Sequence, residues 1–388
     1  MPEAVIIDAV RSPIGKRNGA LSQVHPVDLS GYVLRALAER TGIDPAELDD
    51  VVWGCVNQVG DQAAQVGRYS VLAAGWPETV PGTTINRACG SSQQAVDFAA
   101  GMIMAGQYEF VVAGGVETMS RVPLGAGRDL GRPFGPAVRK RYEEQLSSGG
   151  FPNGDFSQGI GAELIAKRWG LTREDLDELA AESHARTAAA ADAGAFDGQF
   201  ATIPEAPGFR ADEGLRRGTT VETLASLKPA FVEGGVIHAG NSSQISDGAA
   251  ALLLTTHEKA RELGLRPVAR YTAGAVAGTD PIMMLTGPIA ATAKLLQRTQ
   301  LTVDDIGTFE VNEAFASVPL AWLAETGADR ARVNPQGGAI AMGHPLGASG
   351  AVLMTKMVHR MRDQGIRYGL QTMCEGGGTA NATILELI

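Results

Sequence analysis

The sequence predicts an α/β protein in which two similar halves flank a middle region of different character. Short runs rich in β-branched residues alternate with longer amphipathic runs, as in proteins whose sheets are covered by helices. A similar order of runs occurs near both ends of the chain, which indicates an internal duplication. The 388 residues, 44% of them hydrophobic, are enough for about two or three domains. We place these domains at 1–118, 119–245 and 246–388.

The first half alternates between predicted strands and helices. The predicted elements are a strand at 4–8, a helix at 27–42, strands at 49–56 and 83–86, a helix at 91–105 and a strand at 110–115. Gly42 and Gly106 are expected to end the two helices, because glycine readily adopts the left-handed conformation that closes a helix. The helix at 91–105 is apolar nearly all round, which predicts that it is buried.

The second half repeats this order. The predicted elements are a strand at 267–276, a helix at 288–300, a strand within 307–315, a short segment at 331–334, a helix at 347–363 and strands at 368–373 and 381–387. The run GTFEVNEAF matches DVVWGCVNQ of the first half in position, and each of the two follows an Asp-rich turn. The two halves therefore share element order and not a short repeated motif.

The middle region contains a basic segment and a pair of predicted helices. Residues 121–141 hold six basic residues against one acidic residue, in an otherwise acidic protein. This pattern is typical of a solvated loop or a subunit contact, and a patch near a polyanionic ligand is the second interpretation. Residues 162–194 predict two helices, which we expect to form a lid over one face of the two halves.

Composition and charge argue against several classes of function. A net charge of −10 and a pI near 5.2 disfavour a nucleic-acid partner, because duplex binders need a basic face. The N-terminal residues do not form a secretory signal, and the longest apolar stretch, at 95–105, is too short to span a membrane. Three widely spaced cysteines predict neither a disulfide framework nor a metal site. We therefore expect a cytoplasmic protein.

Cys89 lies where a short apolar run gives way to a helix, in the stretch NRACGSSQQAVDFAAG. The N–H groups and partial positive charge of a helix N-terminus favour a thiolate, which makes Cys89 a candidate nucleophile. Gly90, Ser91 and Ser92 are expected to cap the helix and to leave room for an acyl group. The alternative is a buried, inert cysteine, which is the commoner fate of a free thiol and our interpretation of Cys55.

Three further segments carry candidate catalytic groups. In NPQGGAIAMGHPLGASGA, the fixed backbone of Pro345 is expected to aim the ring of His344, and the glycine spacing matches neither common phosphate-binding pattern. In MCEGGGTAN, Cys374 precedes three glycines whose N–H groups could bind an oxyanion. In EVNEAFA, the amide of Asn312 could hold a water or a carbonyl, although an asparagine there is usually a helix cap.

Together these segments resemble the thiolase family of acyl-CoA:acetyl-CoA acyltransferases. The matching stretches are NRACGSSQQA, GNSSQISDGAAA, EVNEAFA, GGAIAMGHPLGASGA and CEGGGTANATI, in the family's order, and the resemblance covers essentially the whole chain. It implies a thiolase-like fold, in which two βαβαβαββ halves form a layered α/β/α/β/α core with an inserted loop domain. Other stretches, including RSPIGKRNGALS and GLQTMCEGGGTAN, are most similar to actinobacterial thiolases of steroid catabolism.

The resemblance implies a role for each catalytic residue. Cys89 would take the acyl group, while His344 would accept its proton and help to bind the thioester oxygen. Cys374 would act as acid and base at the acetyl α-carbon or on the incoming CoA thiol. Asn312 would hold a water that forms one oxyanion hole with His344, and the N–H groups of Cys89 and Gly376 would form the other.

The same matching implies a binding site for coenzyme A as a co-substrate, with no permanently bound cofactor and no metal. Arg216 and Ser243 would contact CoA, and Ala239 and Phe315 would line the slot for its pantetheine arm. On its own, Ser243 lies in a turn of the kind that is typical of loop capping. The family resemblance also implies a homodimer or a homotetramer.

The implied reaction is the reversible cleavage of a 3-oxoacyl-CoA by CoA to acyl-CoA and acetyl-CoA, in fatty-acid or steroid degradation. The alternative is a biosynthetic acetoacetyl-CoA thiolase that condenses two acetyl-CoA molecules. A histidine that many short-chain thiolases carry in their CoA lid is missing here, where the chain has Ser157 and Gln158. This departure puts simple acetoacetyl-CoA chemistry in doubt.

Two rival classes of protein fit the motifs less well. A decarboxylating ketoacyl synthase, which shares the duplicated fold, would need a second catalytic histidine in place of Asn312 and would not need Cys374. An inactive carrier of CoA thioesters or lipids would usually have lost the nucleophile or the histidine, whereas this chain has both Cys89 and His344.

Overall fold

The structure is a computed structural model that describes residues 2–388. The strands are β1 (Ala4–Arg11), β2 (Gly15–Lys16), β3 (Asp50–Gly54), β4 (Thr83–Ile85), β5 (Phe110–Thr118), β6 (Ser246–Thr256), β7 (Ala269–Gly278), β8 (Thr308–Val311), β9 (Tyr368–Glu375) and β10 (Thr379–Leu387). The helices are α1 (Pro26–Thr41), α2 (Val66–Ala73), α3 (Ser91–Met104), α4 (Pro136–Arg141), α5 (Glu143–Ser148), α6 (Gln158–Arg168), α7 (Arg173–Asp192), α8 (Val221–Ala225), α9 (His257–Glu262), α10 (Gly287–Thr299), α11 (Ser317–Thr326), α12 (Ala339–Met342) and α13 (Ser349–Gln364).

Five strands form the sheet of the first half, in the order β4-β3-β5-β6-β1. Strand β3 pairs in parallel with both β4 and β5, whereas β6 runs antiparallel to β5 and to β1. The short strand β2 pairs with β6 outside this order. The parallel strands lie at one side of the sheet, so their carboxyl ends meet at a common edge.

Strand β6 follows the middle region in sequence but belongs to the sheet of the first half. It lies between β5 and β1 and pairs with both along most of its length. Our predicted boundary at residue 246 assigns this strand to the second half. Because β6 completes the first sheet, we propose that the first half ends after β6 and that 119–245 is an insertion between two neighbouring strands.

The second half forms the sheet order β7-β10-β9-β8, which reproduces the arrangement of the first half. Strands β8 and β9 are parallel, and a parallel bridge from Phe309 to Val333 takes the place that β4 occupies beside β3. A short antiparallel contact between β1 and β7 joins the two sheets. Each half therefore has the predicted order βαβαβαββ.

Hydrophobic packing places the helices in three layers around the two sheets. Helices α3 and α13 pack against each other and against strands of both halves, and their apolar residues share one buried cluster. Helices α1 and α2 cover the opposite side of the first sheet, while α10 and α11 cover that of the second. The predicted α/β/α/β/α layering is therefore confirmed.

The helix ends follow local sequence signals in one case and depart from them in another. Helix α1 closes at Gly42 with φ +70°, as predicted, and begins at Pro26, one residue before the predicted start. Helix α3 has Gly90 as its N-cap with no side-chain capping bond, so the expected capping by serines is wrong. The hydroxyl of Ser91 donates to the carbonyl of Ala88, and Ser92 accepts from the N–H of Ala351.

Helix α3 is less completely buried than its composition predicts. Most of its side chains are inaccessible, but Phe98 is 48% exposed. A helix that is apolar all round therefore still presents one large aromatic side chain outside the core of the single chain.

The middle region packs mainly on the second half. Apolar residues of α6 and α7, among them Ile165 and Leu176, share a buried cluster with Phe315 and Cys374. In the basic segment at 121–141, Arg121 pairs with Asp61 and Arg139 pairs with Asp155, each at 2.7 Å. No helix in the described part of the chain is both long enough and apolar enough to cross a membrane.

Candidate active site

The predicted catalytic residues lie on four separate segments that the fold brings together. Cys89 precedes α3, Asn312 follows β8, His344 precedes α13 and Cys374 lies near the end of β9. Asn312 and Cys374 lie at the ends of the parallel strands β8 and β9, and Cys89 and His344 lead into the two helices between the sheets. All four side chains are buried, with at most 4% of any of them exposed.

A strained turn holds Cys89 at the start of α3. Ala88 has φ +44°, in the left-handed region that a residue with a side chain seldom adopts, and such strain is concentrated at functional sites. The backbone N–H groups of Gly376 and of Cys89 itself lower the pKa of this thiol. Burial has the larger effect and raises the pKa, as do the neighbouring Cys374 and Glu375. A base is therefore needed to generate the thiolate.

Cys374 and Asn312 are direct neighbours. Asn312 continues the pairing of β8 with β9 through its N–H, which donates to the carbonyl of Thr372 at 3.1 Å. Its side-chain Nδ2 lies 3.9 Å from Sγ of Cys374. Burial raises the pKa of Cys374 to about 12, although Asn312 and the N–H of Ala314 oppose this effect. Cys374 is therefore a protonated thiol near neutral pH.

The hydrogen bonds of His344 fix one tautomer of its imidazole. The hydroxyl of Ser349 donates to the carbonyl of Pro345 at 2.9 Å, and its oxygen lies 2.6 Å from Nδ1 of His344. Because the single hydroxyl proton is already engaged, Ser349 must accept, so Nδ1 carries the proton and Nε2 is the free base. Burial lowers the pKa of His344 to about 4, which keeps the ring neutral.

Two atoms in this group lack protein partners. Among the described residues, no group bonds to Nε2 of His344 or to Oδ1 of Asn312, although both atoms are buried. Unpaired buried polar atoms are costly and usually serve a ligand or a bound water. Asn312 also lines a small cavity together with Gly343 and Ser349, which lie just before and shortly after His344 in sequence.

Gly376 lies near Cys89, and its backbone N–H lowers the pKa of that thiol. A Cβ atom at Gly376 would lie 3.2 Å from Nε2 of Gln158 and 3.8 Å from Cβ of Ala88. Gln158, which marks the departure from short-chain thiolases, is thus brought to the same place from the start of α6. Sequence reasoning named Gln158 only as a difference and did not place it beside the cysteines.

The predicted CoA residues fall into two groups. Ser243 and Phe315 lie side by side, because the N–H of Ser243 donates to the carbonyl of Ala314 at 2.9 Å, and the segment beginning at Asn312 carries Phe315. Ala239 and Arg216 are exposed on separate loops of the middle region. The structure therefore joins one pair directly to the catalytic residues and leaves the other two at the surface.

Sequence reasoning missed two residues that hold the site in place. Ser349 fixes the tautomer of His344, and the buried Glu117 accepts hydrogen bonds from three segments, including one from the N–H of Gly347 at 2.9 Å. The position of Ser349 five residues after His344 was a possible signal, since it places the hydroxyl in the first turn of α13. Nothing local marks Glu117, because its donors are distant in sequence.

Other features of the described chain do not compete with this site. No group of three or more His, Cys, Asp or Glu residues with the geometry of a metal site occurs among the described residues. A surface cavity of about 730 Å³ lies within the segment 132–154, and none of its lining residues is a predicted catalytic residue. Cys55 is fully buried in the core of the first half, as predicted.

Comparisons with known proteins identify the family of the chain. The family model described as "Thiolase, N-terminal domain" matches residues 4–258, and that described as "Thiolase, C-terminal domain" matches residues 265–387. The chain therefore belongs to the thiolase family. The predicted family, fold and enzyme class are confirmed.

Two curated relatives and one solved structure show the extent of the similarity. The chain is 50% identical over 387 residues, covering 100% of this chain and 94% of the relative, to "Steroid 3-ketoacyl-CoA thiolase FadA6" of Mycobacterium tuberculosis. It is 41% identical to a "3-ketoacyl-CoA thiolase" of Escherichia coli, with both chains covered completely. The crystal structure of the Bacillus anthracis acetyl-CoA acetyltransferase matches with a TM-score of 0.90 at 39% identity, covering 100% of this chain and 99% of that chain.

Proposed function

We propose that the protein cleaves a 3-oxoacyl-CoA with CoA, through an acyl group held on Cys89, and releases acyl-CoA and acetyl-CoA. The observation that carries this proposal is the free Nε2 of His344, fixed as a base by Ser349 in a site that holds two buried thiols. A lone buried cysteine would be inert, but a base and a second thiol give it a complete reaction path.

In the first step, Nε2 of His344 takes the proton of Cys89 and the thiolate attacks the 3-oxo carbonyl. The bond between the second and third carbons then breaks, and the electron pair leaves as the enolate of acetyl-CoA. The thiol of Cys374 donates its proton to this carbon, which completes acetyl-CoA and leaves a Cys374 thiolate. The protonated state of Cys374 near neutral pH suits it to act first as an acid.

In the second step, the Cys374 thiolate takes the proton of the incoming CoA thiol. The CoA sulfur attacks the acyl carbonyl on Cys89, acyl-CoA leaves, and the imidazolium of His344 returns its proton to Cys89. Both steps develop an oxyanion. The N–H groups of Cys89 and Gly376 would stabilise one of them, and His344 with a water held by Oδ1 of Asn312 would stabilise the other.

The CoA co-substrate would enter along the surface that Ser243 and Phe315 share. Phe315 is nearly buried and its ring meets that of Phe231 edge-on, with centroids 5.9 Å apart, which forms an apolar wall for the pantetheine arm. Arg216 is exposed and its side chain is free to reach a phosphate of the CoA nucleotide.

The acyl group of the substrate would belong to the class that is released in steroid degradation. This part of the proposal rests on the name of the mycobacterial relative and on Gln158, which places an amide close to Gly376. The names of the other curated relatives favour degradation in general, and the biosynthetic condensation of two acetyl-CoA molecules is not favoured. We further propose a cytoplasmic homodimer or homotetramer, in keeping with the family.

The test separates the two cysteines by intact-mass analysis. Wild-type protein mixed with a 3-oxoacyl-CoA in the absence of free CoA should gain the mass of one acyl group, and Cys89→Ala should gain none and show no turnover. Cys374→Ser should still form the adduct, with turnover severely slowed. Cys55→Ser is the matched control, since Cys55 is equally buried but lies in the core of the first half. Absence of an adduct on wild-type protein would refute the covalent mechanism.

Substrate class is tested by comparing kcat/KM for acetoacetyl-CoA, a long-chain 3-oxoacyl-CoA and ring-containing 3-oxoacyl-CoA substrates. The proposal expects the highest value for a ring-containing substrate. A preference for acetoacetyl-CoA would favour the short-chain alternative instead.

A further inference from the structure

Glu375 is a buried carboxyl group beside both cysteines that the thiolytic mechanism does not use. It follows Cys374 directly at the end of β9 and has no exposed surface. The hydroxyl of Thr379 donates to its Oε2 at 2.6 Å. Among the described residues, no group donates to its Oε1, which is also buried. One oxygen of this carboxyl is therefore paired and the other is not.

The unpaired oxygen lies against the residue that follows Cys89. A Cβ atom at Gly90, the N-cap of α3, would collide with Oε1 of Glu375. The side-chain amide of Asn381 donates to the carbonyl of Gly90 at 3.1 Å and closes the space from the other side. Gly90 is thus needed here because it lets the carboxyl of β9 approach the turn that carries the nucleophile.

An unpaired buried oxygen is better tolerated on a neutral carboxylic acid than on a carboxylate. A buried carboxylate with a donor at only one oxygen is costly, because burial disfavours the charged form and Thr379 supplies a single donor, to Oε2. The pKa of Glu375 is raised to about 7, chiefly by burial and also by the charge of Asp97, against the opposing effects of Thr379 and Arg87. Both protonation states are therefore populated near neutral pH.

The charged and titratable groups around Glu375 come from each neighbouring element. Cys89 and Arg87 lie on the turn before α3, Asp97 lies on α3, and Cys374 lies on β9. Asp97 is itself bonded to Tyr271 of β7 and Thr383 of β10. The negative charge of ionised Glu375 opposes a thiolate at Cys89 and at Cys374. Among these groups, Arg87 carries the positive charge that favours ionised Glu375.

We propose that Glu375 is a positioning residue whose ionisation controls the reactivity of Cys89. Neutral Glu375 allows the thiolate to form beside it, and ionised Glu375 opposes that thiolate. The inference rests on the proposed role of Cys89 as the nucleophile. It does not make Glu375 a catalytic residue, because the side chain acts through the charge that it places behind the turn.

The test is the rate of alkylation of Cys89 by iodoacetamide as a function of pH, followed by mass analysis of the Cys89 peptide. For an isolated thiol, the logarithm of the rate rises by one per pH unit below its pKa. In wild type, ionisation of Glu375 should interrupt this rise with a shoulder about one pH unit wide just above pH 7. Glu375→Gln should remove the shoulder and label Cys89 roughly tenfold faster above it.

Two further variants keep the test decisive. Asp97→Asn removes a charge that raises the pKa of Glu375, so the shoulder should move to lower pH. Glu109→Gln changes the net charge equally at an exposed position and should leave the profile unchanged. If Glu375→Gln does not fold, the wild-type profile alone decides, and a straight line without a shoulder overturns the proposal.

A shoulder that persists in folded Glu375→Gln also overturns the proposal. Failure of the proposed function would look different, because alkylation is measured without turnover. A missing acyl adduct together with an intact shoulder would refute the covalent mechanism and leave the coupling between Glu375 and Cys89 standing.

Discussion

Replacing Ser349 with alanine should reduce catalysis by removing the group that fixes the tautomer of His344. The hydroxyl of Ser349 accepts from Nδ1 of His344 at 2.6 Å and donates to the carbonyl of Pro345 at 2.9 Å. In Ser349→Ala, the Nδ1–H group of His344 would remain without an acceptor, and it would be buried because only 4% of His344 is exposed. The ring could then relieve this cost by moving its proton to Nε2, which would block the base.

The magnitude follows from the cost of an unsatisfied buried donor, which is about 1–3 kcal/mol. If that cost falls on the active tautomer, the rate of acyl transfer to Cys89 falls by roughly 5- to 150-fold, since about 1.4 kcal/mol corresponds to a factor of ten. The loss should appear in kcat and in the rate of formation of the acyl adduct.

The chain contains a matched control in Ser30 of α1. Its hydroxyl donates to the carbonyl of Pro26 at 2.8 Å and accepts from the indole N–H of Trp53 at 3.1 Å. Ser30→Ala therefore also leaves a buried aromatic N–H without an acceptor, but in the core of the first half. Both variants should lose about 1–3 kcal/mol of stability in urea unfolding, whereas only Ser349→Ala should lose activity. If Ser349→Ala retains kcat within twofold of Ser30→Ala, Ser349 does not set the tautomer.

Two other predictions concern buried charge. Burial lowers the pKa of His344 from 6.5 to about 4, so the unfolded chain binds an extra proton between these values and stability rises with pH across that window. Wild type should therefore lose stability between pH 7 and pH 5, and His344→Asn should lose about 2 kcal/mol less over the same range, as measured by urea unfolding. An equal loss in both proteins would contradict the lowered pKa of His344. Lys356 and Glu310 form a fully buried ion pair at 2.9 Å, so Lys356→Met should destabilise the protein by about 3–5 kcal/mol. The double variant Lys356→Met with Glu310→Gln should recover part of this loss, and a double variant as unstable as the single one would show that the ion pair is not its cause.

The elements that the sequence predicts well are those with strong local signals. Helix α1 has proline at its first position and glycine after its last, and the glycine takes the left-handed conformation that these signals require. The chemistry of the site is also partly predictable from the sequence, because a helix N-terminus and glycine-rich turns supply N–H groups next to the cysteines. The four segments that carry Cys89, Asn312, His344 and Cys374 were identified from such local patterns, and the family resemblance joined them.

Features that depend on contacts between distant segments could not be predicted from local sequence patterns. Strand β6 reads as a buried apolar run, and nothing in its residues tells whether it pairs with β5 or with a strand of the second half. The serines at the start of α3 have the composition of caps but bond to Ala88 and to the N–H of Ala351 instead. Tertiary partners decided both cases, and partners distant in sequence leave no local pattern.

The duplicated fold places different residues at equivalent strand ends in its two halves. Gly54, the last residue of β3, pairs with Gly115, two residues before Glu117, and Val311, the last residue of β8, pairs with Thr372, two residues before Cys374. Glu117 and Cys374 therefore occupy equivalent positions at equivalent strand ends.

In each half, the loop that follows the neighbouring strand lies against this position. The N–H groups of Val56 and Asn57 donate to Glu117, and the N–H of Ala314 lowers the pKa of Cys374. Glu117 also binds the N–H of Gly347, so the carboxylate of the first half uses the common geometry to hold the loop that carries His344. In the second half a thiol takes the same place with few donors and remains free to exchange a proton. We therefore propose that one half supports the site through Glu117 and that the other supplies its acid through Cys374.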